Sequence, residues 1–207
     1  MKCKTIFCFI TLFAVSFSTI KAESLNRISV GAGFGSFNTI IYGTGFTATA
    51  IIDSELDKLD NKTEESTDEI SAGVVFHASY DRKILQYLAI GFIYNYENIN
   101  YIINYDDNDF SETDLNIHTI TPRITLIYGF KKLKIYHAFA LGIGIYDNTL
   151  TEKIGSQIID KEKMVYEPAI HVTIVGLEYH LTEDIYAFVD AGLGYAGFAN
   201  VGVGYMF

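Results

Sequence analysis

The sequence predicts an all-β protein, a closed antiparallel up-and-down barrel that crosses a membrane with eight strands. Three observations lead to this prediction. Apolar residues recur at every second position in eight segments, which is the spacing of one face of a β-strand. The connections between the segments alternate between short and long. The 207 residues include 15 Tyr, 15 Phe and 17 Gly but 2 Pro, a composition typical of transmembrane barrels.

The first 22 residues are predicted to be a cleaved signal peptide. Lys2 and Lys4 supply the positive start, residues 6–17 are apolar, and Ala22 is a small residue suited to the cleavage site. The apolar stretch is shorter than the about 20 residues that a membrane-spanning helix needs. We therefore expect residues 1–22 to be removed and residues 23–207 to form one exported barrel domain.

Cysteine usage and charge exclude two classes of function. Both cysteines, Cys3 and Cys8, fall within the signal, so we expect no disulfide, no Cys-ligated metal and no cofactor in the exported domain. Loss of Lys2, Lys4 and Lys21 changes the formal net charge from −10 to −13. This acidity argues against a nucleic-acid partner, because phosphate binding needs a basic surface.

Each segment sets an apolar face against a face of small residues. In the third segment, for example, Leu88, Ile90 and Phe92 alternate with Ala89 and Gly91. Small residues suit a narrow lumen, and the apolar face then meets lipid. A soluble lipocalin-like barrel is the alternative fold, but it would need a polar exterior, which such outward rows argue against.

Two segments contain irregularities. Pro122 lies inside the fourth segment, and because proline cannot donate to a ladder we expect a bulge or a strand end there. The sixth segment, about 166–180, changes the parity of its apolar residues. A bulge near Ile174 would reconcile the two halves.

The connections predict which ends of the strands face inward. Short turns and long loops alternate in transmembrane barrels, with the turns on the periplasmic side. Tight turns are predicted at 81–83, 129–132 and 182–184, long polar connections at 36–69, 104–113 and 147–164, and a short connection near Gly197. An even strand count places both termini on the inner side and closes the ring, so that no backbone group in lipid is left unpaired.

The last six residues carry a motif. Gly202, Val203, Tyr205 and Phe207 form an alternating apolar end with a terminal Phe, which resembles the C-terminal assembly signal of outer-membrane barrel proteins. Val201 departs from the pattern, which usually has a polar residue there. With the signal and the eight segments, the whole exported domain resembles the small outer-membrane barrel family typified by OmpA, OmpX and OmpW.

That resemblance implies a place in the outer membrane of a Gram-negative cell envelope. It implies contact with outer-membrane lipid and lipopolysaccharide, and insertion by the barrel-assembly machinery. It does not imply one activity, because members include structural proteins, adhesins, small porin-like transporters and lipid-modifying enzymes. The fold therefore leaves the function open.

Four charged residues are predicted to point into the lumen: Arg123, Asp190, Glu97 and Glu178. An unpaired charge in a narrow interior is costly, so we expect these residues to pair, with Arg123 as the central cation. The pairing would either plug the barrel or form a gate for ions.

His77 and Ser79 lie two residues apart on one face, which raises the hypothesis of a nucleophile with its base. Lipid A deacylases of the resembled class use a His, Ser and Glu set. Here the pair falls near the inner end of the second strand, far from the outer leaflet that holds lipid A. No complete set of nucleophile, base and orienting group is visible.

Two connections carry further candidates. In the first, Ala48, Ile51, Ile52, Leu56 and Leu59 recur near a helical period, which favours a short helix that caps the mouth over a surface helix or a disordered loop. In the second, residues 106–109 (Asp-Asp-Asn-Asp) could bind a divalent cation. They lack the EF-hand spacing, and a solvated turn is the preferred interpretation.

The leading hypothesis is a non-enzymatic outer-membrane barrel that is structural or binds an unknown surface ligand through its outer loops. The main alternative is a narrow passive channel for small hydrophobic molecules. A third hypothesis is a lipid-modifying enzyme.

Overall fold

A computed structural model describes residues 26–36, 38, 67–71, 74–106, 109–130, 132–154 and 157–207. The signal peptide predicted at 1–22 and the helix predicted within 36–69 lie outside the described residues. So do Asp107 and Asn108 of the predicted cation turn. The described chain consists of strands: β1 (Asn26–Phe34), β2 (Thr67–Ser71), β3 (Val74–Leu85), β4 (Leu88–Asp106), β5 (Asp109–Phe130), β6 (Leu133–Ile154), β7 (Gln157–His180), β8 (Ile185–Gly194) and β9 (Ala199–Met206).

The strands close into an antiparallel ring of eight positions. Each strand from β3 to β8 pairs with the next along the chain, and β1 pairs with both β3 and β9. β2 occupies no position of its own, because it pairs with β4 directly beyond the part of β4 that pairs with β3. The predicted eight-stranded closed barrel is confirmed. Among the described residues, β1, β8 and β9 each have a paired neighbour on both sides, so no sheet edge is free at their height.

The first and last strands close the ring through the segment with the terminal motif. Val30 lies opposite Val203, and Ile28 lies opposite Tyr205. Beyond this ladder, Asn26 and Phe207 exchange backbone N–H···O bonds of 2.8 and 2.9 Å. The last residue of the chain thus takes part in closing the barrel.

The two faces divide as the alternation predicts. Outward side chains are apolar and exposed, as at Val30 (58%), Phe92 (43%) and Ile143 (58%). Inward positions are mostly buried and hold small and polar residues together with large ones such as Tyr136, Tyr186 and Phe188. This confirms the predicted faces and is the reverse of a water-soluble protein, whose apolar side chains are mostly inside.

The bulge predicted near Ile174 is confirmed, and the expectation for Pro122 is wrong. The pairing of β7 with β8 shifts between Thr173 and Val175, and both Ile174 and Val175 are exposed. Pro122 marks neither a bulge nor a strand end. The β5–β6 ladder skips Thr121 and Pro122 and resumes in the same register, because the strands on both sides hold β5 in place while one ladder donor is missing.

The predicted turn at 81–83 is also wrong. β3 continues to Leu85, and the turn is formed by Gln86 and Tyr87. Asp81 lies within the strand because its carboxylate faces the lumen and binds Arg123. The predicted turns at 129–132 and 182–184 are confirmed, as is the short connection at Gly197.

The connections predicted at 104–113 and 147–164 are largely strand. β4, β5, β6 and β7 have 19, 22, 22 and 24 residues, whereas β8, β9 and β1 have 10, 8 and 9. The polar residues of these hairpins pair across the ladder, so polarity did not indicate a loop. We call residues 98–106, 109–117, 146–154 and 157–165, with β2, the raised sheet, because they extend beyond β8, β9 and β1. The end of the barrel that carries it is the outer end.

Among the described residues, no helix has both the length and the hydropathy needed to cross a membrane.

Candidate functional site

The outer surface changes from mostly apolar to mostly polar at one row of side chains. Cross-strand register places Tyr96, His118, Ile145 and Tyr166 in one outward row. Two residues further toward the outer end, the next row contains Asn98, Asn116, Asp147 and Met164. The hydroxyl groups of Tyr94 and Tyr96 bond to His118 Nδ1 (2.7 Å) and Asn116 Oδ1 (2.9 Å). Amphipathic rings bonded to polar groups mark the level where lipid would give way to headgroups.

The apolar belt has the height of a bilayer core. On β5 it runs from His118 to Tyr128, which are ten residues apart. At about 3.3 Å per residue and a strand tilt of about 40°, this length corresponds to a height of about 25 Å, the value expected for an outer-membrane belt. The outward side chains between these two residues are Ile120, Pro122, Ile124 and Leu126, and all four are exposed. The exposed fractions are 43% for Ile120, 52% for Ile124 and 44% for Leu126.

The lumen is filled because aromatic side chains lie over glycines of neighbouring strands. A Cβ built on Gly176 would lie 2.2 Å from the Tyr136 ring, and one on Gly204 would lie 2.1 Å from the Tyr186 ring. Phe188 covers Gly202 in the same way, with 2.5 Å to the nearest ring atom. The inward glycines therefore leave room for the large inward side chains, which pack against them and fill space that an open channel would need.

Arg123 pairs with a carboxylate that the sequence reasoning assigned to a turn. Its guanidinium binds Asp81, through Nε at 3.1 Å and through a second bond from NH2. NH2 also donates to Ser79 Oγ at 2.9 Å, and Ser79 bonds to Ser29 Oγ at 2.6 Å. The alternation of polar side chains through Asp81 was the signal that could have placed this residue in the lumen.

A second buried ion pair lies nearer the inner end. Arg27 NH2 binds Glu178 Oε1, and the two side chains are 6% and 3% exposed. The Arg27 guanidinium also lies 4.7 Å from the centroid of the Tyr186 ring, a cation–π distance. Arg27 was not among the predicted lumen residues, although its parity with Ser29 placed it on the inward face.

The four predicted lumen residues are all inward but do not form one network around Arg123. Asp190 accepts hydrogen bonds from the Tyr136 hydroxyl and from Asn200 Nδ2, the latter at 2.7 Å. Glu97 accepts from Ser36 Oγ at 2.7 Å and from Asn38 Nδ2 at 2.9 Å. Among the described residues, the expectation of one cluster around Arg123 is therefore corrected to two separate ion pairs, Arg123–Asp81 and Arg27–Glu178. The strands of a barrel fix inward residues at different heights, which separates charges that share a face.

His77 and Ser79 are inward but make separate contacts. Ser79 Oγ is bonded to Arg123 and Ser29. The His77 ring packs edge-on against Phe188, with centroids 5.7 Å apart. Among the described residues His77 Nε2 has no hydrogen-bond partner, so these contacts supply no orienting acid for a base. Whether Gly202, Val203, Tyr205 and Phe207 act as an assembly signal stays a prediction.

The space left between these side chains is small. A cavity of about 20 Å³ lies between these side chains. Its lining includes Arg27, Arg123, His77, His171, Asp190 and Asn200. This is room for about one water molecule. Among the described residues, the side chains that line this cavity therefore leave little free space in this part of the lumen.

No protein-family model and no curated protein sequence matches the chain. Several solved structures are similar in shape. The N-terminal β-barrel domain of Pseudomonas aeruginosa OprF is 13% identical (TM-score 0.47) and covers 89% of this chain and 98% of its own. The attachment invasion locus protein Ail of Yersinia pestis is 12% identical (TM-score 0.46; 90% and 100% covered). Neisserial surface protein A is 12% identical (TM-score 0.39; 88% and 94%). Likenesses of this size carry no functional information, and the eight-stranded ring rests on the strand pairing.

Proposed function

We propose that this chain is a bacterial outer-membrane barrel with a closed lumen, and that its work is structural or is done by the raised sheet outside the cell. The belt of outward apolar residues carries this proposal. Val30, Phe92, Ile143, Leu193 and Val203 are 43–58% exposed, and their exposure to water would be costly. Contact with lipid would remove the cost of exposing these side chains to water. The closed ring supplies hydrogen-bond partners for backbone groups, which lipid cannot do.

The closed lumen favours this function over the passive channel. The side chains that fill it belong to two ion pairs and to ring–glycine contacts, and breaking them to open a path would leave buried charges without partners. To pass, a small molecule would have to displace the rings of Tyr136, Phe188 or Tyr186 from the glycines against which they pack. A non-enzymatic role fits the separate contacts of His77 and Ser79.

Two measurements test the proposal. After export, the protein should stay in the membrane pellet at high pH and high salt and need detergent for release. Recovery of folded chain from the soluble periplasm would contradict the membrane assignment. In a planar bilayer the inserted barrel should be silent, whereas discrete conductance steps that change in Arg123→Ala would support the channel instead.

A further inference from the structure

We infer that the open edge of β7, from Ile158 to Tyr166, is a docking site for an extended segment of another protein that pairs with it as an added strand. The inference rests on the proposed function, because it takes the raised sheet to stand outside the cell. Beyond the proposed function, it specifies that the partner is an extended segment of a protein and that this segment is recognised by backbone pairing with β7.

β7 has one described neighbour along most of the raised sheet. It pairs with β6 from Gln157 onward, but its ladder with β8 begins only at His171, opposite Gly194. The side chains on this stretch are exposed, with Ile158 at 67%, Met164 at 55% and Tyr166 at 65%. An exposed strand edge with unpaired N–H and C=O groups is a template for an added strand.

The register identifies the backbone groups that face the open side. The carbonyl of Ile170 accepts from the N–H of Tyr195 at 3.4 Å, so it points away from β6. The β6–β7 register is unbroken from Ala138 opposite Thr173 to Ile154 opposite Gln157, and alternate residues of a strand point to the same side. The open side therefore presents the backbone groups of Ile158, Asp160, Glu162, Met164 and Tyr166.

Pro168 is consistent with this assignment. It has the same parity as Tyr166, so its missing N–H faces the open side and leaves the ladder to β6 intact. Pro168 is paired opposite Ile143 without a register shift. A proline on an edge strand occupies such a position, and here it ends the usable edge at Tyr166.

Charges along the edge select the incoming strand. Asp160 and Glu162 lie on the outward face and Lys161 and Lys163 on the other face. All four are exposed; Lys161 also binds Glu152 at 3.1 Å and Asp160 accepts from Thr151 at 3.0 Å. Charged edges discourage indiscriminate pairing, while opposite charges across a ladder stabilise it. The partner should therefore carry basic residues opposite Asp160 and Glu162 and acidic residues opposite Lys161 and Lys163.

A second copy of this chain fits less well. Two barrels in one membrane have the same orientation, so their β7 edges would run in the same direction and could pair only as parallel strands, which are slightly less stable per residue than antiparallel ones. They would also place Asp160 and Glu162 beside their own equivalents. The structure thus favours a segment of a different protein.

The test uses two fluorescent synthetic peptides and the full exported chain in lipid nanodiscs. The matched peptide places Lys-Glu-Lys-Glu opposite residues 160–163 with Val and Thr flanks, and the control peptide has Lys and Glu exchanged. Anisotropy should show saturable binding of the matched peptide, at least tenfold tighter than the control. In Met164→Pro, which removes one edge donor as Pro168 does, binding should fall at least tenfold, whereas Met164→Thr keeps the donor and should lose less than threefold.

Three results would overturn the inference: no saturable binding of the matched peptide, equal binding of both peptides, or equal binding by Met164→Pro and Met164→Thr. Dimers whose formation depends on the β7 edge would replace the foreign strand by a second copy and overturn it as well. Circular dichroism verifies that both variants are folded. A chain that leaves the nanodiscs refutes the proposed function, whereas an inserted barrel that fails to bind refutes only the docking site.

Discussion

Breaking the Arg123–Asp81 pair should destabilise the barrel strongly, and the double variant should recover part of the loss. The Arg123 and Asp81 side chains are 14% and 3% exposed. Removal of one partner from a buried pair costs about 3–5 kcal/mol because it leaves an uncompensated charge. In Asp81→Asn the arginine keeps its bond to Ser79 at 2.9 Å, so we expect the lower end, about 3 kcal/mol.

The cycle of Asp81→Asn, Arg123→Met and the double variant isolates the pair. The double variant removes both charges, and such replacements are often close to neutral. We therefore expect a coupling energy of about 2 kcal/mol or more between the two sites. Unfolding by urea in lipid vesicles measures it, followed by circular dichroism and tyrosine fluorescence, since the chain has 0 Trp.

A matched control is Lys161→Met, which breaks an ion pair whose side chains are 60% and 31% exposed. Exposed pairs contribute at most about 1 kcal/mol, so this variant should unfold nearly as the parent does. Additive losses at Asp81 and Arg123, or a loss at Asp81 no larger than that at Lys161, would refute the account of a charge-plugged lumen.

Three further predictions follow from the same contacts. Gly204→Ala should cost about 1–3 kcal/mol of unfolding free energy, because the new Cβ would lie 2.1 Å from the Tyr186 ring; Tyr186→Ala in the same chain should reduce that loss, and additive effects would contradict the contact. His137→Phe should cost about 1–3 kcal/mol, because His137 Nδ1 bonds to the bulged Ile174 carbonyl; a neutral result would mean that another group satisfies this carbonyl. In Arg27→Met the buried Glu178 loses its cation, and a loss of about 3–5 kcal/mol is expected by the same urea assay, with unchanged stability as the contrary outcome.

The alternation of apolar residues was enough to predict the barrel and its two faces. Along β4, Leu88, Phe92 and Tyr94 are outward as the period of two requires, and Ala89 and Ile93 are inward. The parity change in the sixth segment correctly predicted the bulge at Ile174, because a bulge is the one local event that moves a strand's apolar set to the other parity.

Polarity was a poor guide to where strands end. The hairpins beyond Asn98 and Asp147 are rich in polar residues, yet they are strands whose side chains bond to one another, as Asn100 Nδ2 does to Glu112 at 3.1 Å. In the same way, Asp81 and Arg82 suggested a turn, although the strand continues to Leu85. A period of two continues whether the outward face meets lipid or water, so composition alone does not reveal the change.

The candidate site was predictable by face but not by partner. The inward placement of Arg123, Asp190, Glu97 and Glu178 follows from parity. Which of them meet depends on strand tilt and stagger around the ring, which one sequence does not specify. The partners Asp81 and Arg27 lie near strand ends, and the structure extends these strands to Leu85 in β3 and back to Asn26 in β1.

The most direct test of the membrane-spanning belt is quenching of single tryptophans by brominated lipid. Tryptophan placed at Val30 or Ile143, in the belt, should be quenched strongly in brominated vesicles, because those side chains are both 58% exposed on the outward face, which the account places against lipid. Tryptophan at Asn100 or Thr149, on the same outward face of the raised sheet, should be quenched little. Equal quenching at the four positions, or none in the belt, would contradict the central claim that this barrel spans the membrane through its apolar rows.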